Sequence, residues 1–289
     1  MKRLALIGLG GMGTGMGLRL LDRGFSLRVY NRTPGRAEPL IAAGAVAASG
    51  VADAAAGADV VILSLSDEAA VEEVLFGRRG SALPRGTLLV DTTTVSPHYA
   101  REAARRLSAQ GVARVEACLV GNPQMARAGR LRVFTAGSRL AAGRAADVLN
   151  AIGREVRHIG PAGMASTLKI AFNLLLGAQT AALAEAVAYG SEAGLDPKLL
   201  LRTLVGEGSG LRSPLLAFRA EFMGKGCYEP PSFRAALMAK DLHLAVHEGD
   251  RIGLALPVAA SAAALYEAAV AAGDGDKDAA VVLRTSRRR

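Results

Sequence analysis

Two polar side chains stand out in the apolar run Gly163-Met164-Ala165-Ser166-Thr167-Leu168-Lys169-Ile170-Ala171-Phe172-Asn173-Leu174-Leu175-Leu176. Four residues apart on a helix, Lys169 and Asn173 share one face. Taking a lysine head out of water favours its neutral form, which is how lysines come to exchange protons near neutrality. The same residues allow a plainer reading, in which the Lys169 stem packs and its head reaches solvent. Spacing alone leaves both open.

A second constellation lies at the other end of the chain. Gly8-Leu9-Gly10-Gly11-Met12-Gly13 matches G-x-G-x-x-G, directly after the apolar Leu4-Ala5-Leu6-Ile7 and at the start of a helical pattern. Gly8 would allow the tight turn, Gly10 the approach of a pyrophosphate, and Gly13 the close packing of helix on strand, with free amides at the helix N-terminus facing the anion. A glycine-rich turn without a ligand is the bland alternative. The next strand ends Tyr30-Asn31-Arg32-Thr33-Pro34-Gly35-Arg36, without the carboxylate that would bind a ribose 2′-hydroxyl. Arg32 and Arg36 beside Asn31 and Thr33 suit a 2′-phosphate, so NADP(H) is expected ahead of NAD(H); otherwise these are two surface arginines.

The elements that must position these groups follow from periodicity. Leu4–Gly8, Leu27–Tyr30, Val60–Leu65, Leu88–Asp91, Arg114–Leu119, Arg132–Ala136 and Val156–Ile159 read as strands. Between the early ones lie helical segments such as Thr14–Arg23, Arg36–Ala43, Glu68–Leu75 and His98–Gln110. The alternation implies an α/β fold: a Rossmann-type parallel sheet with helices on both faces over residues 1–160. Beyond Gly160-Pro161 the pattern turns helical, so residues 161–289 form a second, all-α domain beginning with a long interdomain helix.

Composition narrows the classes. With 289 residues, 51% hydrophobic and 21% charged, the chain is an ordinary globular protein of about two domains. No run of about 20 residues lacks polar side chains, and no membrane partner is expected. Met1–Ile7 reads as a first buried strand rather than a secretory leader, because Gly8 and Gly10 interrupt the apolar run. Cys118 and Cys227 are too few to staple the fold or build a zinc site, and no metal is expected; a reducing cytoplasm fits. The net charge of +9 includes Arg284, Arg287, Arg288 and Arg289 in the last six residues. With 4% aromatics and no Trp there is little on which to stack bases, so no nucleic-acid partner is expected.

Taken in order, the glycine fingerprint with Asn31-Arg32-Thr33, the Lys169-x-x-x-Asn173 helix, and Lys240-Asp241-Leu242-His243-Leu244-Ala245 resemble the β-hydroxyacid dehydrogenase family, which includes 3-hydroxyisobutyrate dehydrogenases, glyoxylate-type reductases and the larger 6-phosphogluconate dehydrogenase. Val90-Asp91-Thr92-Thr93-Thr94-Val95-Ser96-Pro97 is similar to the family's D-x-S-T-x-x-P loop, and Gly273-Asp274-Gly275-Asp276-Lys277-Asp278 to its G-x-G-x-x-D segment. The resemblance implies that Lys169 is the acid/base, that Asn173 helps hold the substrate oxygen, and that Lys240 lies near cofactor and substrate. It also implies cofactor contacts from Leu65 and Thr94, a homodimer formed through C-terminal helices, and an active site between domains. Lys240-Asp241 could instead be a structural ion pair.

The match fails at the substrate loop. The family reads D-A-P-V-S-G-G, its serine and glycines holding a carboxylate; this chain reads Glu116-Ala117-Cys118-Leu119-Val120-Gly121-Asn122. Val120 falls where the serine belongs and donates no hydrogen bond. Gly121 remains, and Asn122 replaces the second glycine. Ala165 stands where a second glycine is usual, and Phe172 replaces the first of two adjacent asparagines. Imine reductases also have an apolar substrate loop, with a proline near Pro123, but carry Asp or Tyr at the place of Lys169. The leading expectation is an NADP(H)-dependent oxidoreductase acting on a C–OH/C=O group of a small molecule, with a C=N reductase and a cofactor-binding protein without turnover as alternatives.

Overall fold

The computed structural model describes residues 2–77 and 83–287. Eight strands form one sheet: β1 (Arg3–Ile7), β2 (Ser26–Tyr30), β3 (Val46–Ala47), β4 (Val60–Leu63), β5 (Leu88–Asp91), β6 (Ala113–Val120), β7 (Leu131–Gly137) and β8 (Gly153–Gly160). Their order is β3-β2-β1-β4-β5-β6-β7-β8. All neighbours are parallel except β6 and β7. The sheet is thus the expected Rossmann-type parallel sheet with one antiparallel pair. Only residues 121–130 join β6 to β7, and a parallel crossover needs a dozen or more.

Among the described residues eight α-helices connect the strands: α1 (Gly11–Asp22), α2 (Glu38–Ala42), α3 (Val51–Ala55), α4 (Glu68–Phe76), α5 (Pro97–Ala109), α6 (Pro123–Arg127), α7 (Arg139–Arg144) and α8 (Ala146–Ile152). Ser96-Pro97 and Asn122-Pro123 start α5 and α6 in the same way. A side-chain oxygen accepts an amide of the first turn, and proline follows where no donor is needed. Strand alternation sorts the core onto two faces. Leu4, Leu6, Ile62 and Val90 pack on one side with Met16 and Leu20 of α1, and Ala5, Ile7, Val61 and Leu89 on the other with Val71 and Leu75 of α4. β4 and β5 are buried throughout, as strands covered on both faces must be. β3 escaped the periodicity because it has two residues, both exposed.

The chain divides into two compact units, Met1–Lys169 and Ile170–Arg289. The division falls beyond the expected boundary at 160, inside the helix α9 (Met164–Glu192). Its first turns are bonded to β6, through Glu116 to the amides of Gly163 and Ser166 and through Lys169 to the carbonyl of Leu119. At 29 residues α9 is long and apolar enough to cross a bilayer, and half of its most apolar window is buried. Core helices of folded domains share those properties.

The second unit continues with α10 (Pro197–Val205), α11 (Pro214–Lys225), α12 (Ala235–Arg251), α13 (Pro257–Ala269) and α14 (Val282–Arg287). Leu176, Ala184 and Val187 of α9 pack with Met238 and Leu242 of α12 and Tyr266 of α13. The last residue of the Gly273–Asp278 segment is the polar centre of this unit. Fully buried Asp278 accepts from Arg219 Nη1 at 2.6 Å and from the amides of Ser232, Phe233 and Ala280. Of the basic tail, Arg284 lies 4.9 Å above the Tyr228 ring and 3.6 Å from Asp274, while Arg288 and Arg289 lie outside the described residues. Asp278→Ala strands a buried guanidinium and three amides. It should lower the unfolding free energy by about 3–5 kcal/mol in urea titrations; a loss below about 1 kcal/mol would contradict this role.

Candidate active site

The glycine fingerprint folds as its chemistry demands. Gly8 has φ +96°, and a side chain there would meet Ser64 O at 2.3 Å. A Cβ on Gly13 would lie 2.0 Å from Gly8 O. These two glycines let α1 rise against β1. Gly10 has open space on its Cβ side, at the mouth of the α1 N-terminus, where a bound phosphate needs the backbone bare. Sequence reading passed over Gly15: its Cβ would meet Pro123 O at 2.6 Å, so it is what lets α6 lie against α1. The run of glycines at 8, 10, 11, 13, 15 and 17 was the available signal.

Asn31 does something other than face a phosphate. Its Oδ1 accepts the Leu9 amide at 2.9 Å and its Nδ2 donates to Thr33 O at 3.0 Å, tying the glycine loop to the end of β2. Arg32 is exposed, with Nη1 3.6 Å from Glu73 Oε2. Thr33 and Arg36 line a groove of about 750 Å³ together with Leu9, Gly10 and Gly11. Gln124 and Arg127 form its opposite wall, Arg127 also pairing with Asp22. A bare Gly10, helix amides and flanking guanidiniums fit a dinucleotide diphosphate. Met12 turns inward, half-buried against the core. Leu65 follows β4 and Thr94 follows β5, at the carboxyl ends of adjacent parallel strands where such folds bind ligands. The Leu65 amide donates to Thr93 Oγ1 at 3.2 Å.

Lys169 is partly buried, and its Nζ donates to Leu119 O at 2.9 Å. The ammonium therefore sits at the carboxyl end of β6, beside Val120 and Gly121. Val120 packs in a small apolar cluster with Cys118, Phe134, Ala136, Ile159 and Ala165. Two departures from the family pattern, Val120 and Ala165, are thus neighbours in one patch. Burial pushes the Cys118 thiol above its ordinary value, against the pull of the Lys169 charge. Gly121 has φ +145° and turns the chain out of β6, with Leu131 where a Cβ would stand. Asn122 Oδ1 accepts the Met125 amide at 2.9 Å and caps α6, so only its Nδ2 is left to offer a ligand.

In the second unit, Asn173 is buried and donates from Nδ2 to Asp241 Oδ2. Lys240 Nζ lies 2.7 Å from Asp241 Oδ1. Both named residues of the unit therefore meet one carboxylate, that of Asp241. The ion pair considered for Lys240 is present, and it orients Asn173 through the shared Asp241. Among the described residues no group of three or more His, Cys, Asp or Glu side chains is placed to hold a metal ion.

A Rossmann-type sheet, a bare phosphate loop and a lysine at a strand end define an NAD(P)-dependent oxidoreductase, and comparison with known proteins gives its family. Residues 3–160 match the NAD binding domain of 6-phosphogluconate dehydrogenase, and residues 163–286 the family described as NAD-binding of NADP-dependent 3-hydroxyisobutyrate dehydrogenase. The chain is 32% identical over 284 residues to 2-(hydroxymethyl)glutarate dehydrogenase of Eubacterium barkeri, covering 98% of this chain and 94% of that one. The structure is similar to 3-hydroxyisobutyrate dehydrogenase of Salmonella typhimurium, with a TM-score of 0.89, 28% identity, and 98% and 99% of the two chains covered. It is also similar to a reductive aminase of Aspergillus terreus, with a TM-score of 0.64, 26% identity, and 98% and 99% covered. The chain belongs to the β-hydroxyacid dehydrogenase family and is an NAD(P)-dependent oxidoreductase acting on CH–OH groups.

The Asn31 geometry carries a prediction. Asn31→Ala frees the Leu9 amide and loosens the loop that receives the diphosphate, at about 1–3 kcal/mol. NADPH and NADH should both bind roughly 5- to 100-fold more weakly, by the same factor, in fluorescence titrations. A loss confined to NADPH would make Asn31 a 2′-phosphate ligand instead.

Proposed function

We propose that the protein interconverts a carbonyl and an alcohol on a weakly polar small molecule, with NADP(H) as cofactor and Lys169 as proton donor and acceptor. The observation that carries this reading is the Lys169 ammonium at the carboxyl end of β6, 2.9 Å from Leu119 O and next to Val120. Bound in the groove beside Gly10, the nicotinamide cofactor supplies the hydride in reduction and accepts it in oxidation. Lys169 gives a proton to the carbonyl oxygen as it becomes a hydroxyl, and takes it back in the reverse direction. Its bond to Leu119 O fixes the head at the end of β6.

Arg36 on the groove wall supports NADP(H), together with the lack of a carboxylate at the end of β2. Arg36→Ala should weaken NADPH by about one to two decades, the worth of one good charged contact, and leave NADH nearly unchanged. Equal losses for both would remove the basis for the preference.

Val120 and its apolar neighbours disfavour a carboxylate at the substrate end, because an unpaired carboxylate there loses solvation worth roughly 1–3 kcal/mol. Gly121 and Asn122 are the remaining groups of the loop that could anchor one. The same patch favours a second reading, reduction of a C=N bond, which the likeness to a reductive aminase also supports. For partners we propose a homodimer, supported by exposed Tyr189, Leu195, Leu199, Leu211 and Leu254 in the helical unit.

NADPH oxidation measured across β-keto acids, semialdehydes, ketones and cyclic imines tests the reading. Uncharged ketones or aldehydes should be turned over best. On the best of them, Lys169→Ala should lower kcat by on the order of 10²–10⁴ with NADPH binding intact. Turnover restricted to imines, or near-normal kcat without Lys169, would contradict it.

A further inference from the structure

Glu116 is 4% exposed, in the middle of β6, and its carboxylate is aimed at the start of α9. Oε1 accepts the Gly163 amide at 2.6 Å and lies 3.5 Å from Arg114 Nη1. Oε2 accepts both the amide and the hydroxyl of Ser166, each at 3.2 Å. Helices ordinarily satisfy such first-turn amides with a Ser, Thr, Asn or Asp at the N-cap. The residue preceding α9 is Gly163, which has φ +95° and no side chain, and a Cβ there would lie 2.7 Å from Arg101 Nη1. The cap is therefore supplied from the strand.

The same strand holds Lys169 through Leu119 O, three residues beyond Glu116. Helix and strand are thus pinned twice: at the first turn of α9 by Glu116, and further along by the lysine. A regular helix transmits the first pin to the second, since its rise per residue is fixed. The carboxylate is itself fixed from behind. Arg114 Nη2 donates to Asp91 Oδ2 at 2.8 Å, Nε to the same oxygen, and Nη1 to Ala100 O.

We propose that Glu116 is a positioning residue: by holding the Gly163 and Ser166 amides it sets the height at which α9 presents Lys169 at the end of β6, and it acts on turnover through Lys169. This rests on Lys169 being the proton donor. Glu116→Gln keeps the size of the side chain, turns an NH₂ group toward amide donors, and removes the charge that faces Arg114.

A double-mutant cycle on the best substrate from the NADPH-oxidation panel tests it. With Lys169 present, Glu116→Gln should lower kcat about tenfold or more, with KM and the NADPH dissociation constant within about twofold. In the Lys169→Ala background the same change should alter the residual kcat less than about twofold, since no proton is left to place. Equal losses in both backgrounds, or no loss with Lys169 present, would overturn the proposal. Should Glu116→Gln not fold, Ser166→Ala removes one contact to the carboxylate, and must show a smaller loss with the same dependence on Lys169. Normal kcat for Lys169→Ala alone would sink the proton-donor reading itself, and is visible before the second change is made.

Discussion

The first unit is organised around one buried ionic chain. Asp91, at the end of β5, binds the Arg114 guanidinium, and Arg114 faces Glu116, which caps α9. Three charged side chains in a sheet interior would be costly, and removing any one would leave its neighbour charged and dry. Each is tolerated because its other polar atoms are occupied. Asp91 Oδ1 accepts the Thr93 amide, and Arg114 reaches Ala100 O. Through Thr93 the chain continues to the Leu65 amide at the end of β4. One line of hydrogen bonds and one ion pair therefore joins the loops proposed to meet the cofactor to the helix proposed to deliver the proton. A parallel sheet makes this economical, since its strand ends lie side by side on one edge.

Around that edge the departures from the family pattern reinforce one another. Valine for serine at 120 and alanine for glycine at 165 meet in a shared apolar cluster with Cys118 and Ile159. Asn122, in place of a glycine, turns its oxygen to the α6 amides. The family's substrate loop has thus exchanged polarity for packing, while Lys169 keeps its place beside it. The acid/base chemistry proposed for Lys169, next to an apolar wall, would suit a carbonyl carried by a hydrophobic frame.

Much of this was legible in the residues. The strands over Leu4–Gly8, Val60–Leu65 and Leu88–Asp91 were readable because parallel strands buried on both faces leave continuous apolar runs. The glycine loop was readable because Gly8 and Gly13 meet constraints that no other residue meets. What escaped was long-range and polar. Nothing in the spacing shows that Glu116 reaches across 47 residues to the Gly163 amide, or that Asp241 pairs with Asn173 across 68. Asn31 was placed in the correct loop and given a different task, because an asparagine carries both donor and acceptor and only the fold decides which neighbour uses them. The antiparallel turn to β7 follows from connection length, a signal present in the sequence and outweighed by the repeating alternation.

The central physical claim is that a strand carboxylate holds the beginning of the helix that bears Lys169. Amide hydrogen exchange of the intact protein, read residue by residue by NMR, tests it most directly. First-turn amides usually exchange fast, because no helical carbonyl precedes them. The account predicts that Gly163 and Ser166 exchange as slowly as the amides of β5 and β6, opening only with the unit as a whole. Exchange at the rate of an exposed loop, with the rest of α9 protected, would contradict it.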